Sequence, residues 1–240
     1  MVTLITGGSG ALGTELKKIY PNALAPTSDE LDLKDREAVF NYFKKNSNID
    51  VIIHAAALTG IRPCEENQSL AWKTNVEGTR NLVDAVLDSK HKILFIYVST
   101  ACVFDGHKEM YKESSIPYPE NFYALTKLVG EHEVRRLQEY LIVRTNFAAK
   151  EKWRYPKAFT DRFGTYLFAN DVAKGIADVQ KENLRGIVHI VGDKKMSVYE
   201  LAKITTPDVK PMTIKEYSGP RLTMDMSLDT ERWKKYKISP

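Results

Sequence analysis

The chain has 240 residues, and its 35 lysines and arginines against 31 aspartates and glutamates give a net charge of +4. This small excess is spread along the chain, which is typical of a solvated surface, so we predict no nucleic-acid partner. The length is enough for one large domain, or for one domain with a small appendage.

Cysteine and histidine usage argues against disulfides and metal sites. Cys64 and Cys102 form no Cys-x-x-Cys motif, so we expect reduced thiols in a cytoplasmic protein. The five histidines show no metal-ligand spacing, and no metal is predicted. The chain contains no apolar run long enough for a membrane span and begins with a core-strand pattern, so neither a membrane segment nor a signal peptide is expected.

The first predicted element is a buried strand over residues 1–6, which are apolar and β-branched. A glycine-rich turn occupies residues 7–13, and Leu12, Leu16 and Ile19 then recur at helical spacing. A strand, a glycine-rich turn and a helix in this order predict a dinucleotide-binding site.

Each glycine of this turn has an expected role. Gly7 and Gly10 would let the backbone approach a pyrophosphate, and Gly13 would allow the helix to pack closely on the strand. Ala11 and Leu12 open the helix, whose free N–H groups would face the pyrophosphate.

Strand and helix patterns alternate through the first 145 residues. Strands are predicted at 22–26, 51–54, 93–98 and 141–143, and helices at 35–45, over about 20 residues around 72–86, and around 123–127. This alternation predicts an α/β fold, a Rossmann-like doubly wound parallel sheet with helices on both faces. Ligands of such sheets bind at the carboxyl ends of the strands.

Tyr123 and Lys127 form a candidate proton-delivery pair. On a helix, residues four apart share a face, with their Cβ atoms roughly 6 Å apart. A nearby ammonium stabilises phenolate, so we expect Lys127 to lower the pKa of Tyr123. The spacing alone is common on amphipathic helices, and the glycine-rich turn upstream gives it weight.

Five ordered motifs carry a family resemblance: Thr6–Gly13, His54–Ala57, Thr74–Thr79, Val98–Thr100 and Tyr123-x-x-x-Lys127. Together they resemble the extended short-chain dehydrogenases/reductases, in the NAD-dependent epimerase/dehydratase family. Within that superfamily the chain is most similar to the dTDP-4-dehydrorhamnose reductase group, which the segment 98–106 also resembles. The similarity is close through about residue 146 and thinner from 147 to 168.

The resemblance implies roles for the catalytic residues. Tyr123 would be the general acid that protonates a substrate carbonyl oxygen as hydride reaches the carbon. Lys127 would hold the nicotinamide ribose hydroxyls, and Ser99 would adjoin the cofactor. Thr100 would hydrogen-bond the carbonyl oxygen and stabilise the developing alkoxide.

The resemblance also places the adenine between Asp32 and Leu33 and lines the cofactor groove with the backbone of Ala55, Ala56 and Ala57. His54 is expected to be a packing residue, and Asn75 to brace nearby loops.

Cofactor choice depends on the end of the second predicted strand, Ala25–Ser28, which contains no carboxylate and no arginine. An acid at this position typically binds the ribose 2′-hydroxyl of NAD. Thr27 and Ser28 could instead hydrogen-bond a 2′-phosphate. The sequence therefore favours NADP(H), with NAD(H) as the alternative.

Two domains are expected, a dinucleotide-binding domain with the catalytic helix at 1–146 and a small, reduced C-terminal substrate lobe at 147–240 that returns elements to the sheet. Ala101-Cys102 stands where the family has Asp-Tyr, and Phe147 stands where it commonly has Trp. The expected substrate contacts are Thr100, Phe104, Asn146, Phe147, Arg154 and Arg221, with the two arginines as candidate diphosphate ligands.

The resemblance implies NAD(P)H-dependent reduction of a 4-keto nucleotide sugar in sugar-nucleotide biosynthesis. One alternative is a nucleotide-sugar epimerase that retains NAD; Ala101-Cys102 cannot supply the acid pair of a dehydratase. Another is a non-catalytic NADP-binding subunit resembling the regulatory subunit of methionine adenosyltransferase. A homodimer is an expectation at the level of the family.

Overall fold

A computed structural model describes residues 1–239 of the protein. Its strands are β1 (Val2–Thr6), β2 (Ile49–His54), β3 (Leu94–Val98), β4 (Tyr140–Arg144), β5 (Phe147–Ala148), β6 (Lys157–Phe159), β7 (Phe163–Gly164), β8 (Leu167–Phe168), β9 (Gly186–His189), β10 (Met196–Ser197), β11 (Lys210–Met212) and β12 (Asp225–Met226). Its helices are α1 (Ala11–Ile19), α2 (Arg36–Lys45), α3 (Ile61–Glu66), α4 (Gln68–Trp72), α5 (Gly78–Asp88), α6 (Phe122–Val134), α7 (Ala169–Lys181) and α8 (Val198–Thr205).

The centre of the protein is a five-stranded parallel sheet with the order β1-β2-β3-β4-β9. Helices α1 and α7 cover one face, where Ile5, Leu16 and Ile176 are buried. Helices α2, α5 and α6 cover the other face, which buries Val39 and Leu82. Because both faces are covered, the strands are apolar runs rather than alternating ones. The predicted doubly wound α/β fold is confirmed.

The strand predicted at 22–26 is wrong in extent. Only Leu24 reaches the sheet, through a single bridge to Leu4. Its N–H donates to the Thr3 carbonyl and its carbonyl accepts from Ile5, both at 2.8 Å. Pro21 and Pro26 flank this point, and since proline has no N–H it cannot extend the ladder.

The long helix around 72–86 is present, but it is not uniform. A π-helical turn over Lys73–Glu77 joins α4 to α5. Such turns insert an extra residue into a helix and are frequent at functional sites. Here the turn contains Asn75, which is buried and contacts the loop after β2.

The C-terminal third contributes both to the sheet and to a separate core. Strand β9 extends the sheet beside β4, and α7 packs against α1. The short strands β6 with β11, and β7 with β10 and β12, form the rest of this region together with α8. Its apolar core is continuous with the turn at residues 101–104. The division of the chain at residue 147 stays a prediction.

No helix among the described residues 1–239 is both long and apolar enough to cross a membrane.

Candidate active site

Backbone packing explains two glycines of the N-terminal turn. Gly7 has a φ of +74°, and a Cβ there would lie 2.7 Å from the backbone nitrogen of Ala56. A Cβ on Gly13 would lie 2.1 Å from the Gly7 carbonyl oxygen, so any side chain would push α1 away from β1. Gly13 therefore allows α1 to pack closely on the turn at Gly7 and Gly8, directly after β1, where the sequence predicted packing on the strand itself.

Gly10 is different, because neither its conformation nor its packing requires glycine. Its φ is −74°, and a methyl group added at this residue would meet the Gly7 carbonyl oxygen at 3.4 Å, an ordinary contact distance. As the N-cap of α1 it offers no side-chain acceptor to the first-turn N–H groups, and that turn has no acidic residue. Within residues 1–239, the N-terminus of α1 is thus left with free donors and a positive dipole end, a suitable site for an anion.

A groove beside this turn brings together distant parts of the chain. Of the predicted cofactor residues, it is lined by Gly7, Thr27, Ser28, Asp32, Leu33 and Ala56. Ala11 is exposed at the adjoining start of α1, whereas Leu12 is buried and can contribute only its backbone. The sequence reasoning missed several lining residues, namely Thr6, Gly8, Ser9, Pro26, Leu31, Lys34 and Thr74. Gly8 and Ser9 lie inside the glycine-rich turn and were therefore identifiable.

Charged side chains lie in the groove and beside it, outside the segment Ala25–Ser28 on which the sequence argument was based. The Glu30 carboxylate accepts the N–H of Thr27 at 2.7 Å and its hydroxyl at 3.1 Å. These two hydrogen bonds lower the pKa of Glu30. The Lys34 ammonium lies 2.9 Å from the Asp32 carboxylate. The segment that follows Leu24 therefore has a base in the groove, Lys34, and an acid beside it, Glu30.

Ser99 and Thr100 follow β3 at the carboxyl edge of the sheet. The Ser99 N–H donates to the Val143 carbonyl at 2.7 Å, which extends the β3–β4 pairing by one residue. The Thr100 hydroxyl oxygen accepts the N–H of Cys102 at 3.2 Å and caps a 3₁₀ turn over Ala101–Val103. Its own O–H group is left to donate to another acceptor.

Helix α6 places Tyr123 and Lys127 at the same edge. Asn121 is its N-cap, and the Asn121 side chain accepts the N–H of Ala124 at 3.0 Å. Tyr123 is partly exposed, and its phenol is within hydrogen-bonding reach of Thr100. The Lys127 ammonium is buried and lies 4.1 Å from the centre of the Tyr97 ring, a cation–π contact from β3.

The pKa shifts of this pair differ from the sequence expectation. Burial raises the pKa of Tyr123, and the nearby Thr100 hydroxyl opposes this only in part. Burial lowers the pKa of Lys127 to about 7, and the negative charge of Glu131 opposes this shift. The prediction that Lys127 lowers the pKa of Tyr123 is wrong, because removal from water dominates both groups. The phenol stays protonated at neutral pH, as a proton donor must be.

His54 and Asn75 have the structural roles expected of them. His54 is fully buried and hydrogen-bonds Thr6 at 2.7 Å and Thr79 at 2.9 Å. Burial, together with the Lys127 charge, lowers the pKa of His54 to about 3. Asn75 accepts the N–H of Leu58 at 2.7 Å and so braces the loop that follows the alanines at 55–57.

Three of the expected substrate contacts, Thr100, Phe104 and Asn146, are buried in the protein. Phe104 stacks on Tyr111 with 4.5 Å between ring centres and has no exposed surface. The Asn146 side-chain amide donates to the Met226 carbonyl at 2.7 Å. Phe147 is 37% exposed and is therefore accessible to a ligand.

The two candidate diphosphate ligands lie on the surface and already have partners. The Arg154 guanidinium lies 4.8 Å from the centre of the Tyr155 ring. The Arg221 Nε atom is 2.5 Å from the Glu120 carboxylate, which immediately precedes the N-cap of α6. Cys64 and Cys102 are both buried free thiols, as the sequence predicted.

The parallel sheet, the glycine-lined groove and the Thr100, Tyr123 and Lys127 side chains define an extended short-chain dehydrogenase/reductase. The chain belongs to the family described as the RmlD substrate binding domain, whose model matches residues 1–234. It is 31% identical over 229 residues to a dTDP-4-dehydrorhamnose reductase of Aggregatibacter actinomycetemcomitans, covering 83% of this chain and 76% of the relative. It is also 31% identical over 235 residues to the methionine adenosyltransferase 2 subunit beta of Xenopus laevis, covering 83% and 69% of the two chains.

Solved structures agree with this assignment. A dTDP-4-dehydrorhamnose reductase ortholog from Clostridium acetobutylicum aligns with a TM-score of 0.86 at 29% identity, covering 95% of this chain and 90% of that one. The reductase of Bacillus anthracis, solved in complex with NADP, has the same fold, with a TM-score of 0.86 at 24% identity and the same coverage of both chains, 95% and 90%.

Replacing Gly10 and Gly13 separately will distinguish ligand approach from packing. Gly10→Ala leaves the fold intact and weakens NADPH binding at least tenfold, because the new methyl group points towards the anion site and not into the protein. Gly13→Ala lowers the melting temperature by several degrees, because its methyl group overlaps the Gly7 carbonyl. Thermal melts and fluorescence titration with NADPH measure both effects. Unchanged NADPH affinity in Gly10→Ala would place the pyrophosphate elsewhere.

The low pKa of Lys127 predicts a limit to activity on the alkaline side. The ammonium form exists below the pKa of about 7 and is lost above it, so kcat for ketone reduction falls as the pH rises through this region. Lys127→Arg keeps its charge at every accessible pH and should lose this decline, although its maximal rate is lower. Rates measured across the range from mildly acidic to strongly alkaline pH test this, and a wild-type decline only at the ordinary lysine pKa would contradict it.

Proposed function

We propose that the protein uses NAD(P)H to reduce a 4-keto nucleotide sugar, as its dTDP-4-dehydrorhamnose reductase relatives are named for doing. The observation that carries this proposal is the meeting of Thr100, Tyr123 and Lys127 at the sheet edge beside the glycine-lined groove. A dinucleotide in that groove would end beside a protonated phenol and a buried ammonium.

The protein side chains then handle the charge that develops on the substrate. A nicotinamide cofactor bound in the groove would supply the hydride that the carbonyl carbon accepts. Tyr123 donates its proton to the carbonyl oxygen, which completes the alcohol, and burial keeps that proton in place beforehand. The free O–H of Thr100 hydrogen-bonds the same oxygen as negative charge grows on it. Lys127 binds the ribose hydroxyls and stabilises the phenolate left after proton transfer.

Charge in the groove supports NADP(H) as the cofactor, with NAD(H) as the alternative. Thr27, Ser28 and Lys34 line the region next to the adenine position, and a lysine there attracts a 2′-phosphate. Glu30 acts in the opposite direction, because a carboxylate beside Thr27 suits a free 2′-hydroxyl. The preference between NADP(H) and NAD(H) thus depends on two side chains of opposite charge, Lys34 and Glu30.

The substrate lobe supports a nucleotide sugar as the substrate but does not identify the sugar. Phe147 is accessible at the carboxyl end of the sheet, and Arg221 lies next to the start of α6. A diphosphate could replace Glu120 as the partner of Arg221. Cytoplasmic location and a homodimer remain proposals at the level of the family.

A regulatory role is the second and weaker candidate: the chain is 31% identical to a methionine adenosyltransferase 2 subunit beta as well as to a reductase, but it covers 69% of the former and 76% of the latter. The complete set of Thr100, Tyr123 and Lys127 favours catalysis over regulation. Turnover separates the two: a reductase consumes NADPH in proportion to the keto sugar added, whereas a regulatory subunit binds the cofactor and consumes none. An epimerase would convert its sugar with no net use of cofactor.

Removal of the Tyr123 hydroxyl tests the proton donor. Tyr123→Phe should lower kcat by about 10²- to 10⁴-fold while NADPH affinity stays within about twofold, because the phenol acts on the reacting oxygen and not on the pyrophosphate. Tyr140→Phe is the matched control, since Tyr140 begins β4 at the opposite edge of the sheet. Near-wild-type turnover in Tyr123→Phe would remove Tyr123 from the mechanism.

Two groove variants test the cofactor preference. Lys34→Ala should weaken NADPH binding about tenfold and leave NADH binding nearly unchanged, because only NADPH carries the 2′-phosphate. Glu30→Gln should strengthen NADPH binding by removing a nearby negative charge. Dissociation constants for both cofactors check these effects, and equal losses for NADPH and NADH in Lys34→Ala would contradict the assignment.

A further inference from the structure

A buried carboxylate lies behind the proposed catalytic residues. Glu131 has no exposed surface and accepts three hydrogen bonds. The Ser99 hydroxyl donates to it at 2.6 Å, and Arg144 donates from Nε at 2.9 Å and from Nη2 at 2.7 Å. A second arginine, Arg135, approaches from the surface at 3.9 Å. The carboxylate thus joins side chains from α6, β3 and β4.

Stability alone does not explain this cluster. A buried ion pair loses the hydration of both charges, and well-packed apolar side chains in its place are often at least as stabilising. In the described part of the chain, residues 1–239, the Nη1 atom of Arg144 is buried and has no hydrogen-bond partner. A fully optimised structural ion pair would not leave such a donor unsatisfied.

The elements that Glu131 joins are those that carry the proposed chemistry. Ser99 directly precedes Thr100, and Arg144 ends β4, the strand to which the Ser99 N–H is hydrogen-bonded. The helix itself carries Tyr123 and Lys127. A Cβ at position 130 would lie 2.2 Å from the Tyr97 hydroxyl oxygen, so α6 lies directly on β3 at this point. Glu131 therefore fixes how far the proton donor is from Thr100.

Glu131 also adds a negative charge one helical turn from Lys127. Four other titratable or charged groups surround Lys127. His54 of β2, Tyr97 of β3 and Tyr123 of α6 are three of them. The fourth is Arg144 of β4, which is paired with Glu131. Three of these are neutral at pH 7, and Arg144 is positive. Glu131 is the anion of the group, and its charge opposes the effect of burial on the pKa of Lys127.

We propose that Glu131 is a positioning residue of the active site, which sets the Ser99-Thr100 segment against α6 and keeps the Lys127 ammonium charged. The expected changes in kcat rest on the proposed reductase function. The expected effect of Glu131 on the pKa of Lys127 does not.

The experiment compares Glu131→Gln with Glu133→Gln. Glu133 is on the same helix and pairs with Arg80 at 2.8 Å and Arg136 at 2.9 Å, away from Ser99. In Glu131→Gln, kcat should fall on the order of tenfold and its alkaline decline should move to lower pH, because the ammonium is lost earlier. Glu133→Gln should keep the wild-type kcat and pH profile.

A second readout does not need the substrate. Titration of the lysine Cε and Nζ signals by nuclear magnetic resonance, with Lys127→Arg used to assign the signal, reports the pKa of Lys127 directly. This pKa should be lower in Glu131→Gln and unchanged in Glu133→Gln. Equal Lys127 titration curves in the wild type and Glu131→Gln would overturn the electrostatic part of the proposal.

If Glu131→Gln fails to fold, Ser99→Ala tests the positioning role instead, because it keeps the buried charges of Glu131 and Arg144. It should lower kcat several-fold with no movement of the pH profile, since the Glu131 charge remains. Wild-type kcat in Ser99→Ala would overturn the positioning role. A wild-type protein without turnover would instead refute the proposed function, while the lysine titration would still decide the effect of Glu131 on Lys127.

Discussion

The close contact between helix α6 and strand β3 determines where every proposed catalytic group lies. Gly130 allows this contact, because even a methyl group there would overlap the Tyr97 hydroxyl at 2.2 Å. With the helix this close, the Lys127 ammonium rests 4.1 Å from the centre of the Tyr97 ring, and Tyr123 comes within reach of Thr100. A helix held even slightly further out would separate the proton donor from the strand end.

The same contact determines the electrostatics. Groups that the helix covers lose water, so burial raises the pKa of Tyr123 and lowers the pKa of Lys127. Sequence spacing cannot show this, because two residues four positions apart on a helix have the same spacing whether that face is buried or exposed to solvent. The expected attraction between ammonium and phenolate is therefore secondary to desolvation until a substrate and a cofactor enter the site.

Features with strong local patterns were predictable from the sequence. The apolar run of β3, the glycine-rich turn before α1 and the spacing of Tyr123 and Lys127 each depend on residues near one another in the chain. The strand at 22–26 was overestimated because the prolines around Leu24 remove ladder donors. The sequence did not identify three charged residues, Lys34, Glu30 and Glu131. Their positions near a groove or a strand end arise only when distant parts of the chain fold together, and no local motif indicates this.

The substrate side departs furthest from the sequence expectation, and the reason is how the C-terminal region packs. Its core includes the turn at 101–104, so Phe104 stacks on Tyr111 and Asn146 is bonded to Met226 instead of facing a cleft. Residues that support the lobe from beneath cannot also contact a nucleotide sugar. Under the proposed function, substrate contacts beyond Thr100 would come from outer residues such as Phe147 and Arg221, of which Arg221 is already paired with a carboxylate. The chemistry thus depends on the rigid sheet edge, whereas substrate choice depends on exposed side chains that can exchange partners.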